Sequence, residues 1–392
     1  MLPLEGVVVV AVEQAVAAPF ASRQLADLGA RVIKIERPGT GDFARGYDTT
    51  VKGLASHFVW TNRSKESVTL DLKRPEAAEA LHRLLARADV FLHNLAPGAV
   101  ARLGFDAGGL RAAHPRLITC EISGYGSSGP YRDKKAYDLL IQSEAGLLAI
   151  TGTEETPSKV GISIADIAAG MYAYSAILAA LLRRERTGDG AAVEVSLFDA
   201  LAEWMGYPAY FAEYGGAQPA RTGARHAAIA PYGPYRAGDG KVVYLGLQNE
   251  REWARFCEQV LERPELVSDA RFSTNSRRVE HHDALELVIV ESFARSTAAE
   301  VVQRLDAADI ANARMNSVRD FLDHPQLEAR GRWGEIESPS GRLRALKPPV
   351  MMDDVECPMG AVPSLGAHTD GVLRELGYDD ATIASWRHAG IV

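Results

Sequence analysis

Residues 7–36 read VVVVAVEQAVAAPFASRQLADLGARVIKIE, and the fold class turns on this stretch. Val7 to Val12 is an apolar run suited to a strand buried on both faces. Ala18 to Leu28 carries helical spacing, and Val32 to Ile35 is a second short apolar run. Strand, helix and strand in this order make a right-handed crossover between parallel strands. Working outward, further strand candidates lie at Val90 to Leu92 and Leu117 to Ile122. Helical patterns separate them: Pro75 to Ala88, with Pro75 near its first turn, and Ala107 to Ala113 behind the possible cap Asp106. The alternation predicts an α/β fold with a doubly wound, Rossmann-like sheet.

The turn after the first strand is Glu13-Gln14-Ala15-Val16-Ala17-Ala18-Pro19 and contains no glycine. A dinucleotide enzyme needs GxGxxG there, so that its backbone can approach a pyrophosphate. Nicotinamide and flavin chemistry of the Rossmann kind is therefore disfavoured.

Beyond Ala136 the pattern turns helical, over Tyr137 to Leu148 and Ile164 to Arg186, the latter stopping at Thr187-Gly188-Asp189-Gly190. A strand from Ala192 to Ser196 and a helix from Phe198 to about Tyr214 follow. We place a large domain over 1–214, a linker over 215–234, a smaller domain over 235–325 and a return to the large domain over 326–392. The smaller domain opens with a turn at Ala237 to Gly240 and a strand at Val242 to Leu247, followed by amphipathic helices such as Arg251 to Leu261 and Ala298 to Leu305.

With 47% hydrophobic and 24% charged residues, the chain has the balance of a soluble globular protein. Its formal charge of -8 excludes a general nucleic-acid binder, which needs a basic surface to release counterions. Cys120, Cys257 and Cys357 are far apart, so neither a disulfide framework nor a metal site is expected. The most apolar long stretch, Ile167 to Leu182, falls short of a membrane span, and the N-terminus lacks the features of a signal peptide. We expect a cytoplasmic protein without membrane partners.

Asp166 opens the apolar helix that begins near Ile164. It can serve there as a cap that complements the helix dipole, or as a carboxylate kept ionised by the same N–H groups and aimed into a cleft. In the second role it is a competent acyl acceptor. Basic residues cluster at Arg37, at Lys73-Arg74, at Arg102 and at Arg132-Asp133-Lys134-Lys135, in segments that follow strands or join elements, where α/β sheets gather ligands. Their common partner would be a phosphate-bearing anion; solvated surface charge is the plainer reading. Arg221, Arg225 and His226 form a second basic group in the linker, able to grip a carboxylate or to brace the chain.

With these residues in view, the chain resembles class III coenzyme A transferases of the CaiB/BaiF type from end to end. The resemblance rests on Leu25-Ala26-Asp27-Leu28-Gly29-Ala30 with Val32 to Pro38, on Gly41-Asp42, and on Asn62 to Lys65 with Leu70 to Lys73. It continues through Asn94 to Gly98, Arg102-Leu103-Gly104, Ser123 to Gly126 and Arg186-Thr187-Gly188. The resemblance implies two chains passed through each other as interlocked rings. Each has a Rossmann-like large domain made from both chain ends and a smaller inserted α/β domain, and the assembly is an obligate homodimer.

The resemblance places the nucleophile at Asp166 and coenzyme A contacts at Arg37, Leu70, Lys73, Asn94, Arg102, Lys135 and Tyr137. Gln14 and Val16, with Arg221, Arg225 and His226, would then line the acyl and acceptor end. The first turn, and a region from Arg225 to Pro231 without a glycine-rich lid, look closest to the branch that handles succinyl-CoA and C4 or C5 dicarboxylates such as itaconate, mesaconate or citramalate. The implied activity is CoA transfer from an acyl-CoA donor to a carboxylic acid through an aspartyl-CoA thioester. Coenzyme A enters as a substrate, and no permanently bound cofactor or metal is expected. Two alternatives stand: an α-methylacyl-CoA racemase or epimerase, whose base is a histidine where this chain has Tyr137, and a non-catalytic CoA-binding protein.

Overall fold

The structure is a computed structural model that describes residues 1–392. The chain forms two compact units, one of 1–145, 160–205 and 326–392, the other of 146–159 and 206–325.

The first unit holds six parallel strands: β1 Val8–Val12, β2 Arg31–Glu36, β3 Lys65–Thr69, β4 Val90–His93, β5 Ile118–Ser123 and β6 Ala192–Ser196. Their spatial order is β3-β2-β1-β4-β5-β6. Successive strands run outward from β1 and then restart on its other side, so the topological switch point lies between β1 and β4, where ligands of such sheets bind. Alternation along the strands divides the sheet. Val10, Val12, Ile33, Ile35, Val68 and Phe91 face one large apolar cluster; Glu13, Lys34 and Lys65 project from the opposite face.

The helices of this unit and of the crossing segment are α1 Ala17–Asp27, α2 Ser56–Asn62, α3 Pro75–Leu85, α4 Ala99–Arg102 and α5 Ala107–Ala113, then α6 Asp138–Glu144, α7 Leu147–Ile150, α8 Ile164–Thr187 and α9 Leu197–Trp204. Asp106 caps α5 as expected, accepting the Gly109 N–H at 2.8 Å. Leu81, Leu84 and Leu85 of α3 pack on the apolar face of the sheet, together with Val372, Leu373 and Ile383 from the end of the chain. That end is pinned to β3, because the Thr69 N–H donates to Thr369 Oγ1 at 2.9 Å and the Ser67 N–H to His368 Nδ1 at 3.1 Å.

Three elements differ from the sequence reading. β3 carries polar residues on a buried face and has no apolar run to announce it. The helix expected over 137–148 breaks at Gly146, whose φ of 80° ends α6 and starts α7. The helix expected from Phe198 stops at Trp204, and a new one, α10 Gly206–Gly215, begins where the chain enters the second unit.

α8 is 24 residues long and ends at Gly188 in the left-handed region, at the stop that the sequence marks. By length and composition alone it could cross a membrane. Its small face, Ala165, Ala168, Ala169 and Ala173, is instead buried, and the helix packs against α1, β5 and β6.

The second unit carries a three-stranded antiparallel sheet of β7 Tyr232–Arg236, β8 Val242–Gly246 and β9 Ala311–Arg314. Helices α11 Glu250–Arg255, α12 Asn275–Glu280, α13 His282–Phe293 and α14 Ala298–Ala307 close over it. Its own core is built from Tyr235, Val243, Leu245, Trp253, Phe256, Phe293 and Leu305.

Candidate active site

The β1–α1 turn is held from beneath by buried charge. Glu13, at the end of β1, accepts Lys65 Nζ at 2.7 Å, Lys34 Nζ at 3.3 Å and Ser22 Oγ at 2.6 Å. Burial alone would push its carboxyl up, yet the two lysines hold it below the usual carboxylate range. Lys65 shows the opposite balance: burial pushes its ammonium down to about 7 despite Glu13. Lys34 also binds Asp42 Oδ2 at 2.7 Å, while Asp42 Oδ1 accepts the N–H groups of Ala15 and Ala44 at 3.0 and 2.9 Å. Ala15 takes a φ of 62°, a conformation disfavoured for a residue with a Cβ, and Asp42 secures it.

Gln14 and Asn94 clasp each other across the switch point. The Gln14 N–H donates to Asn94 Oδ1 at 2.9 Å and Asn94 Nδ2 to the Gln14 carbonyl at 2.8 Å. Gln14 Oε1 also accepts the Phe43 N–H at 3.0 Å. Both side chains thus shape the crevice. Val16 is buried, at the N-terminal boundary of α1.

α8 meets this turn closely. A Cβ built at Gly170 would lie 2.7 Å from the Ala17 carbonyl oxygen and 3.1 Å from Phe20 Cδ1, so a glycine is needed for the two helices to touch here. Asp166 is one turn earlier on the same side of α8, which brings it beside the start of α1.

The surroundings of Asp166 differ from the sequence reading, in which helix N–H groups keep it ionised. Those groups are taken by Asp138, at the start of α6: its Oδ1 accepts the Ala165 N–H at 2.8 Å and the Asp166 N–H at 3.4 Å. Burial, and then the charge of Asp138, push the Asp166 carboxyl up to about 7. Tyr137, immediately before α6, is exposed. Sequence reasoning missed Tyr47, whose hydroxyl is pushed up to about 12 by burial and by the nearby Asp42, Asp166 and Tyr137. It stands in the loop that begins with the motif Gly41-Asp42, which was the only local signal for it.

Cations line the end of the sheet where the strands finish. Arg37 follows β2, Lys73 lies just past β3, Arg102 ends α4, and Lys135 sits in the segment between β5 and α6; all four are exposed. Arg102 reaches the Pro97 carbonyl at 3.5 Å, whereas the side chains of Arg37, Lys73 and Lys135 hold no hydrogen bond or ion pair. Leu70 is buried beside them in sequence. In the run Arg132 to Lys135, Arg132 pairs with Asp133 and Lys134 with Glu144, which leaves Lys135.

In the second unit the basic group of the sequence reading is occupied by protein. Arg221 donates to the carbonyls of Thr153, Glu154 and Ala149 at 2.8, 2.6 and 3.3 Å. Arg225 pairs with Glu286 at 2.6 Å. His226 Nδ1 accepts the Ala228 N–H at 3.1 Å, and its ring stacks on Tyr232 at 5.3 Å. Arg221 therefore braces backbone carbonyls, Arg225 is neutralised by a carboxylate and His226 accepts a backbone N–H, so all three side chains are engaged within the protein.

A carboxyl poised near 7 is half ionised at neutral pH and more basic, hence more nucleophilic, than an ordinary carboxylate. With unpaired cations at the same end of the sheet, the unit is suited to attack on an activated acyl group carried by a polyanion.

Comparison with known proteins is consistent with that chemistry. The family model described as CoA-transferase family III matches residues 4–369. Human succinyl-CoA:glutarate CoA-transferase is 32% identical over 395 residues, covering 100% of this chain and 90% of the relative. Succinyl-CoA--D-citramalate CoA-transferase of Chloroflexus aurantiacus is 32% identical over 383 residues, 95% of this chain and 94% of the relative. A CAIB/BAIF family protein from Brucella suis superposes with a TM-score of 0.82 at 33% identity, covering 96% of this chain and 99% of that one.

Proposed function

Because the chain belongs to CoA-transferase family III, we propose that it moves coenzyme A from succinyl-CoA to a C4 or C5 dicarboxylate, with Asp166 as the covalent nucleophile. The observation that carries this reading is the half-buried Asp166 carboxyl, raised to about 7 beside the β1–α1 turn. The dicarboxylate class rests on relatives named for glutarate and D-citramalate; itaconate and mesaconate are further acceptors of the same kind.

One Asp166 oxygen attacks the donor thioester carbon, the C–S bond breaks, and a mixed anhydride and CoA thiolate result. The thiolate then attacks the Asp166 acyl carbon, releasing the donor carboxylate and leaving an aspartyl-CoA thioester. The acceptor carboxylate attacks that thioester, and the released thiolate takes the acceptor acyl group, which frees Asp166. One thioester replaces another, so the exchange is close to balanced in energy.

In this reading Arg37, Lys73, Arg102 and Lys135 meet the phosphates of the nucleotide, with Leu70, Asn94 and Tyr137 along the rest of the CoA molecule. Gln14 and Val16 shape the acyl end. Arg221, Arg225 and His226 remain the candidates for the acceptor's second carboxylate, for which each would have to exchange its present protein partner. The interlocked homodimer, a large domain built from both chain ends with a smaller domain inserted between them, and a cytoplasmic setting belong to the same proposal.

The test is incubation of the purified protein with succinyl-CoA and, separately, glutarate, malate, citramalate, itaconate, mesaconate and a set of monocarboxylates. Acyl exchange with dicarboxylates is expected, together with a hydroxylamine-trapped modification on the peptide that contains Asp166. Exchange with monocarboxylates alone would overturn the substrate class, and trapping at another carboxylate would overturn the nucleophile.

A further inference from the structure

Gln142 lies one turn after Asp138 on α6 and is fully buried. Its Nε2 donates to Asp138 Oδ2 at 2.7 Å, and its Oε1 accepts the Val160 N–H at 3.0 Å. A backbone N–H can only donate and a carboxylate can only accept, so these two partners determine which way the amide points. Asp138 is thereby turned so that its other oxygen, Oδ1, faces the N–H groups of Ala165 and Asp166. The relay runs from Val160 through Gln142 and Asp138 to the first turn of α8, and so encloses the 160–165 segment that leads into Asp166.

We propose that Gln142 is a positioning residue for the reaction. By holding Asp138 against the start of α8 it denies those N–H groups to Asp166 and keeps the nucleophile basic. The inference rests on the reading of Asp166 as nucleophile. Among the elements packed against α8, the charge that acts on Asp166 is that of Asp138 on α6, with Tyr137 and Tyr47 close by. Several other ionisable groups on those elements are engaged elsewhere. Arg23 and Asp27 on α1 pair with each other, Glu144 on α6 pairs with Lys134, and Glu194 on β6 binds Ser127 and neighbours Glu121 on β5. Asp199 and Glu203 complete the set on α9.

Gln142→Met keeps the length of the side chain and removes both hydrogen bonds. Without its donor, Asp138 is free to turn from α8, and the Asp166 carboxylate becomes the nearest acceptor for the vacated N–H groups. The titration midpoint of Asp166 should then fall by at least about one pH unit. This is read without activity, from the pH dependence of carbodiimide modification of the Asp166 peptide. In the transfer assay the acid limb of kcat should move the same way, with KM for succinyl-CoA within about twofold. On an Asp138→Asn background, Gln142→Met should add no further shift, because Gln142 acts through Asp138. If Gln142→Met does not fold, Gln142→Asn, one methylene too short to reach both partners, should give a shift of the same sign. An unmoved midpoint, or an equal shift with Asp138→Asn present, overturns the proposal. A shifted midpoint in a protein that transfers no CoA would uphold the relay and overturn the functional reading instead.

Discussion

The Asp138 carboxylate accepts the backbone N–H of Asp166 at 3.4 Å, and its charge adds to the larger effect of burial in pushing the carboxyl of that same residue up. One carboxylate caps the helix while the other is left basic, so two like groups 28 residues apart take different tasks.

The first prediction follows from that division. Asp166 has its carboxyl raised above the ordinary value of about 3.9 to about 7, so the reactive carboxylate disappears as pH falls through about 7. The rate of acylation by succinyl-CoA should drop on the acid side with that midpoint. For stability the sign is reversed, since a raised acid favours the folded state below its unfolded value and loses that contribution between about pH 4 and 7. Asp166→Asn should therefore be more stable than the parent at pH 8, by about 1–3 kcal/mol, and no more stable at pH 3.5. Denaturant unfolding at the two pH values decides it, and equal stability at pH 8 would contradict the burial of charge at Asp166.

Replacing Asp166 by Ala should lower kcat by more than about a thousandfold, or ~4 kcal/mol of transition-state stabilisation. Steady-state transfer assays, with circular dichroism to confirm folding, measure this. Residual activity above about one per cent would mean that another group accepts the acyl chain.

Arg37, Lys73 and Lys135 are exposed and have no protein partner to lose. Changing each to Ala should leave stability within about 0.5 kcal/mol and raise KM for the CoA donor severalfold, with little effect on kcat. The effect should shrink as salt is added, because exposed charges are screened. Unchanged KM in all three variants would place the phosphates elsewhere.

Gly170→Ala should destabilise the protein although alanine favours helix by about 1 kcal/mol. The new methyl would be 2.7 Å from the Ala17 carbonyl oxygen, and overpacking of that kind costs about 1–3 kcal/mol. Thermal unfolding reports it. A stabilised variant would show that α1 and α8 do not meet as closely as described.

Arg225 and Glu286 should be coupled in a double-mutant cycle by ~0.5–1 kcal/mol, a modest value because both are about a third exposed. If the cycle shows no coupling and Arg225→Ala instead weakens dicarboxylate acceptors selectively, the guanidinium serves the ligand and not the fold.

Much of the fold was legible because its signals are local. The valine run of β1, the spacing of α1 and α3, the cap Asp106 and the stop at Gly188 all depend on neighbours in the chain. β3 was not legible for the converse reason. Lys65 reads as a surface residue until Glu13, 52 positions earlier, is brought 2.7 Å from its ammonium. The same holds at the site, where Tyr47 has no periodicity or motif of its own and becomes relevant only through what surrounds it.

By itself the sequence determined which chemical groups are available and in which order the strands and helices carry them. It specified an α/β sheet without a dinucleotide turn, an aspartate at the head of an apolar helix, and cations after successive strands. Tertiary structure alone decided how those groups behave. The acid strength of Asp166, the orientation of Asp138 by Gln142, and the pairing of Arg225 with Glu286 arise from contacts between residues distant in the chain. Burial and through-space charge set them, and neither can be read from a residue's neighbours in sequence.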